Sequence, residues 1–375
     1  MRASFFRAGL PYVLGFTSCL LHTTTAENSA DPPKNSRTPG RIASVLDWNE
    51  LEWAAMLSSA AYAGCIGRTH DVEITHQISD RATATQVRRG ALALLYEYPI
   101  NTRYLQGFIG VSDQRKRIEV VFRGSNQLAD FINDVDTRKV PVTGLNGVSF
   151  PPGVEIMHGI HRPWMAVHDD VIAHVKLLTT KYPTYAIGVT GHSLGGSMTY
   201  LGFPVLTQIF PTKQIFAAPL NAFPIGNEAF AQFSSKQISA RRVVKRGTQN
   251  KDGVPNMYTP SSPLTILPLA PVMQHYGTEY YTNGTRLSTI QCEGERDRSC
   301  SAGNGATGPT PQHHYSFGVD MGPSGAMGCM ASGGSYGANG GTMRIMGQGE
   351  STDAVEGQVI NKTGARKIVG RGWKA

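Results

Sequence analysis

Tyr185-Ala186-Ile187-Gly188-Val189-Thr190-Gly191-His192-Ser193-Leu194-Gly195-Gly196-Ser197-Met198 reads as strand, tight turn and helix. Ile187 and Val189 supply a short β-branched run, Gly191 and Gly195 flank Ser193, and Ser197 to Leu201 can continue as a helix. A strand that reverses directly into a helix leaves no room for side chains at the turn, so glycine is needed on both sides and the serine is strained. Its hydroxyl is thereby pushed into the open. The backbone N–H of Leu194, at the helix start, is placed to hold an oxyanion formed by attack of Ser193. Gly-x-Ser-x-Gly alone is weak evidence, because a chain with 42 glycines in 375 residues matches it about 0.3 times by chance. The neighbouring elements must carry the reading.

Upstream, Arg103 to Val111 and Arg117 to Arg123 read as two strands around the turn Asp113 to Lys116. His161 to Thr180 is a helix with Trp164, Val167, Val171, Ile172, Val175 and Leu178 on one stripe, ended by Tyr182-Pro183. Leu51, Ala54, Ala55, Leu57, Ala60 and Ala61 predict an earlier amphipathic helix that runs up to Gly64-Cys65. Downstream, Gln214 to Ala218 is a buried strand, Asn227 to Gln232 a short helix and Arg242 to Lys245 another strand. Alternation of this kind predicts an α/β fold with a mostly parallel sheet covered by helices, its functional residues at the carboxyl ends of strands. Residues 68–99 yield no organisation by periodicity.

The chain's ends differ from this middle. Arg2 and Arg7 precede the apolar stretch Ala8 to Leu21, and Thr24-Thr25-Ala26 offers the small residues of a cleavage site, so residues 1–26 read as a secretory signal. About 14 apolar residues broken by Pro11 are too short to span a bilayer. Residues 27–45 read as a flexible mature N-terminus or propeptide, 46–330 as the folded domain and 331–375 as a Gly-rich, disordered tail. Loss of Arg2 and Arg7 with the signal lowers the formal net charge from +8 to +6. Scattered basic residues without interleaved aromatics give no nucleic-acid footprint. Cys19 falls inside the signal, which leaves Cys65, Cys292, Cys300 and Cys329, an even number in an exported chain. Three pairings are open, and Cys292 with Cys300 would close a short polar loop. Asn283-Gly284-Thr285 and Asn361-Lys362-Thr363 are glycosylation sequons.

A serine nucleophile needs an imidazole to take its proton and an acid to orient that imidazole, in the chain order Ser, Asp or Glu, His for this type of turn. Asp252 follows a strand in a loop stiffened by Pro255, and His313-His314 precede Tyr315-Ser316-Phe317-Gly318. Asp136, Asp297 and Glu279 are competing acids; His158 and His192 read as packing or hydrogen-bonding residues.

At this point the chain resembles the fungal class 3 lipases, secreted α/β-hydrolases that include triacylglycerol lipases and feruloyl esterases. The resemblance rests on Val120 to Ser125, Gly191 to Gly196, Gly226 to Phe230, Asp252 to Pro255 and His313 to Gly318, in the family's order. It implies Ser193 as nucleophile, Asp252 as orienting acid, His313 as base, Ser125 and Leu194 as oxyanion donors, and Asp134 as a brace for that region. Ser316 stands where the family has tyrosine, and His314 adjoins His313, so the choice of base stays open between the two. The resemblance further implies the pairs Cys65–Cys329 and Cys292–Cys300. It also puts a lid at Gln127 to Val135, where Leu128, Phe131, Ile132 and Val135 form an apolar stripe that would roll onto a lipid surface. The expectation is a secreted, cofactor-independent, monomeric lipase for acylglycerols at a lipid–water interface, with no metal in its site. A soluble-ester esterase on the same residues, or a catalytically silent binding protein, is the alternative.

Overall fold

A computed structural model describes residues 40–79, 106–125, 136–260, 262 and 271–321. The first strands are β1 (Arg41–Ile42), β2 (Arg68–Thr69), β3 (Val72–Ser79), β4 (Gln106–Ser112) and β5 (Arg117–Phe122), with helix α1 (Val45–Ala63) between β1 and β2. After the short pair β6 (Lys139–Pro141) and β7 (Glu155–Met157) come helix α2 (His158–Lys181), β8 (Ala186–His192), helix α3 (Leu194–Ile209) and β9 (Ile215–Leu220). Helix α4 (Glu228–Ser235), β10 (Arg242–Gln249), β11 (Thr278–Thr282) and β12 (Ile290–Gln291) follow.

Ten of these strands form one sheet in the order β1-β12-β11-β10-β9-β8-β5-β4-β3-β2. Its five central strands, β5, β8, β9, β10 and β11, are parallel, and the strands flanking them pair antiparallel. The fold is α/β-hydrolase, as the resemblance implied, with the mostly parallel sheet that the alternation of strands and helices predicted.

Sheet alternation decides what each face carries. On β5, Ile118, Val120 and Phe122 enter the core shared with α2 and α3, whereas Val121 between them joins Leu57, Ala60 and Ala61 of α1 on the opposite face. The second face is closed toward β9 by Leu51, Ala54 and Ala55 of α1 against Ala218, Leu220 and Phe317. Trp164 of α2 is fully buried, stacks edge-on to Phe122 at 5.4 Å and donates its indole N–H to the Met198 carbonyl of α3. Helix α1 begins on Ser44, whose hydroxyl accepts the Asp47 N–H, and ends at Gly64 in the left-handed conformation.

Several elements differ from the sequence expectation. Packing starts before residue 46: β1 pairs with β12 and Ala43 is buried, because the backbone there is held by the Thr289 carbonyl. β9 continues through Pro219, beyond Ala218, and β10 runs four residues past Lys245. Arg246, at which β10 seemed to end, is buried against Glu279 of β11 at 3.2 Å, an ion pair inside the sheet layer. Residues 68–79, left unorganised by periodicity, form the β2–β3 hairpin. The signal segment, the lid stripe Leu128, Phe131, Ile132 and Val135, the brace Asp134, Cys329, Asn361 and the tail lie outside the described residues. Cys292 and Cys300 are disulfide-bonded, and Cys65 is buried and disulfide-bonded as well.

Glu279 also accepts hydrogen bonds from the Thr248 hydroxyl and the Ser301 N–H, so its removal takes from buried Arg246 the carboxylate it is paired with and leaves only the weaker influence of Glu295. Glu279→Ala is therefore expected to lower unfolding free energy by about 3–5 kcal/mol, measured from the urea midpoint at pH 7.5.

Candidate active site

The turn after β8 holds Ser193 at φ 58°, ψ −123°, a region that residues with a side chain rarely enter. The conformation is enforced by close approach. A Cβ on Gly191 would lie 2.5 Å from the Gly195 carbonyl oxygen, and one on Gly195 would lie 2.1 Å from the carbonyl oxygen of Phe122. Strand β5, the turn and the first residue pair of α3 thus occupy space that only glycine leaves open. Ser193 Oγ is buried and, among the described residues, has no hydrogen-bond partner. Leu194 opens α3, so its N–H has no acceptor within the helix and sits at the positive end of the helix dipole.

Asp252 lies fully buried just beyond β10. One carboxylate oxygen accepts the Val254 N–H at 3.0 Å; the other is 2.8 Å from His313 Nδ1. With Nδ1 donating to the acid, Nε2 of His313 carries a lone pair, and it too is buried without a partner among the described residues. His314, the adjacent candidate, is exposed, and it is His313 that meets Asp252. The competing acids are engaged elsewhere: Asp136 with Arg138 and His158, Asp297 in capping the Cys292–Cys300 loop, and Glu279 with Arg246. Ser125 follows Gly124, where an added Cβ would fall 1.8 Å from the Tyr62 hydroxyl and 2.6 Å from the His192 carbonyl. The chain leaving β5 is therefore pressed against the residue preceding Ser193.

Two further histidines hold the loops of this group, and motif reasoning gave only one of them a bonding role. His192 Nε2 is 2.8 Å from the carbonyl oxygen of His313, and its Nδ1 is 3.0 Å from the Tyr62 hydroxyl. Since a carbonyl only accepts, Nε2 must carry the proton, and the tyrosine donates to Nδ1. His275 repeats the pattern at the acid: Nε2 is 2.7 Å from the Pro255 carbonyl and Nδ1 2.7 Å from the Tyr200 hydroxyl. Each buried imidazole ties one loop to a helix, His313 to α1 and the Asp252 loop to α3. Burial pushes the pKa of both well below 6.5, with the nearby His313 adding to the effect at His192 and Arg246 at His275. Asn221, at φ 47° beyond β9, donates to the His313 and Tyr315 carbonyls and accepts the Gln249 N–H. Asn304 donates to the Asp252 carbonyl at 2.8 Å and Asn256 to that of Ser301, so the segment just after Cys300 braces the acid's loop.

Neutral buried imidazoles fix the sign of a pH effect. The unfolded chain takes up protons at these two positions near pH 6.5, while the folded chain does so only well below it. Their stabilisation is full above pH 6.5 and is lost as pH falls toward the depressed folded values. Unfolding free energy is expected to decrease by about 1.4 kcal/mol per pH unit for each histidine below 6.5. Urea titrations at pH 7.5, 6.5 and 5.5 check this, and a flat profile contradicts it.

Comparison with known proteins adds kinship to the geometry. The class 3 lipase family model matches residues 119–261. A secreted alkaline triacylglycerol lipase of Penicillium cyclopium is 47% identical over 272 residues, covering 72% of this chain and 84% of the relative. The crystal structure of a triacylglycerol lipase from Penicillium expansum superposes with a TM-score of 0.64 at 44% identity, over 77% of this chain and 98% of that one. A Rhizopus microsporus lipase, at 22% identity and TM-score 0.60 over 80% of this chain and 99% of its own, shares the fold.

Proposed function

The chain belongs to the class 3 lipase family, and from that premise we propose that it is a secreted carboxylic ester hydrolase acting on acylglycerols through an acyl-enzyme on Ser193. The observation that carries this reading is the His313–Asp252 pair, whose Nε2 and the strained Ser193 Oγ both have no hydrogen-bond partner among the described residues.

In the proposed reaction, Ser193 Oγ attacks the ester carbonyl while His313 Nε2 takes its proton. Asp252 keeps the ring in the required tautomer and stabilises the imidazolium that forms. The N–H groups of Leu194 and Ser125 receive the oxyanion, the former strengthened by the α3 dipole. His313 then protonates the departing alcohol, and a water activated by the same nitrogen releases the acid.

The substrate assignment draws on relatives described as triacylglycerol lipases and on the apolar stripe Leu128, Phe131, Ile132 and Val135, which by its helical spacing would serve as a lid. Export draws on the signal-like residues 1–26, the Cys292–Cys300 bond, and a relative described as secreted. Among the described residues no helix is long and apolar enough to cross a membrane. The protein acts as a monomer at the lipid–water boundary, and its exposed Asn283 sequon is open to glycosylation.

Ser193→Ala is expected to lower kcat on tributyrin by about 10⁵ or more; a rate near wild type would remove Ser193 from the mechanism. For the wild type, the initial rate should rise abruptly as tributyrin passes its solubility limit. Smooth saturation through that point would favour a soluble-ester esterase.

A further inference from the structure

Outside the triad, three side chains from two elements converge on the outer side of α2. Asp170 and His174 lie one turn apart on the helix, and His76 reaches them from β3. His76 Nε2 is 2.6 Å from Asp170 Oδ2, whereas His174 Nδ1 lies 3.2 Å from the main-chain carbonyl oxygen of Asp170 and 3.4 Å from its Oδ1, so both rings face the same aspartate. The two imidazoles stack with centroids 3.5 Å apart and planes inclined by 15°. One donor atom from each of the three residues falls within 4.8 Å of the other two. The register of β3 against β4 shifts between Ile74 and His76, an irregularity of the kind that re-aims a side chain.

We propose that His76, Asp170 and His174 form a binding site for a divalent transition-metal ion of the Zn²⁺ class. Two imidazole nitrogens and one carboxylate oxygen are the donors that borderline cations prefer, and they disfavour Mg²⁺, which demands an all-oxygen octahedron. Tetrahedral coordination at about 2.0–2.1 Å puts neighbouring donors roughly 3.4 Å apart. His76 and Asp170, now 2.6 Å apart, must part slightly while the wider donor pairs close and one imidazole turns out of the stack, movements that partly exposed side chains allow. Their side chains are 20%, 50% and 33% exposed, so the remaining coordination positions face water. In the metal-free protein the imidazole proton between His76 and Asp170 occupies the place of the cation. Bound metal would clamp β3 to α2 and act on stability, because none of the three residues belongs to the Ser193 group. A plain surface ion pair is the competing account, and it makes no distinction among cations.

The full chain, freed of metal with EDTA and dialysed, should take up ZnCl₂ in a saturable calorimetric titration and gain about 2–4 °C in thermal midpoint. MgCl₂ should leave that midpoint unchanged. His76→Asn and His174→Asn should each weaken the Zn²⁺ affinity by about 10-fold or more, with far-UV circular dichroism like that of the wild type. The proposal is overturned if the wild type shows no saturable uptake, or if both variants, folded by that criterion, bind Zn²⁺ as tightly as the wild type. Neither outcome depends on the ester hydrolase reading.

Discussion

The left-handed backbone at Ser193 is the constraint on which the rest of the structure depends. Such a conformation costs about 1–3 kcal/mol and persists only where the surroundings leave no other path. Here the path is set by contact between β5, the turn and α3, which approach so closely that Gly191 and Gly195 cannot carry a Cβ. Burial of Met198, Leu201, Phe203 and Val205 along α3 against the central strands offsets the strain. The Ser193 side chain is therefore aimed by the packing of a helix on a sheet, and among the described residues its hydroxyl makes no hydrogen bond that would hold it there.

The other two members of the proposed triad come from loops, which need separate anchoring. Asp252 and His313 are 61 positions apart, and each loop is tied back by a neutral imidazole that bridges a backbone carbonyl and a tyrosine hydroxyl. Histidine suits this place because its neutral ring donates at one nitrogen and accepts at the other, satisfying two buried groups at once. The arrangement gives His192 a structural duty beside Ser193, in keeping with its sequence reading as a packing or hydrogen-bonding residue. Asn221 completes the support from β9, its left-handed backbone being one that asparagine tolerates better than most residues.

Local pattern made much of this legible. The β-branched run before Gly191, the stripe on α2 and the apolar periodicity of α1 each announce their element, and all three lie where that pattern predicts. What escaped depends on contacts distant in sequence. β10 was read four residues too short, since its continuation carries an arginine and a glycine; Arg246 is neutralised by Glu279 on the neighbouring strand and Gly247 makes room for Phe317. The β2–β3 hairpin was obscured by His76 and Gln77, polar residues whose place in a strand is secured by pairing with β4. Tyr62, Tyr200 and His275 carry no motif, since their role exists only once the helices dock. Between His313 and His314 the motif was ambiguous, and the distance to Asp252 singles out the first.

The most direct test of the central claim is covalent. Wild-type protein treated with a serine-directed alkyl phosphonate, then digested and analysed by mass spectrometry, should carry one adduct, on Ser193, and Ser193→Ala should carry none. An adduct on another residue, or an unlabelled wild type, would contradict the assignment of the strained turn as the place where the chemistry begins.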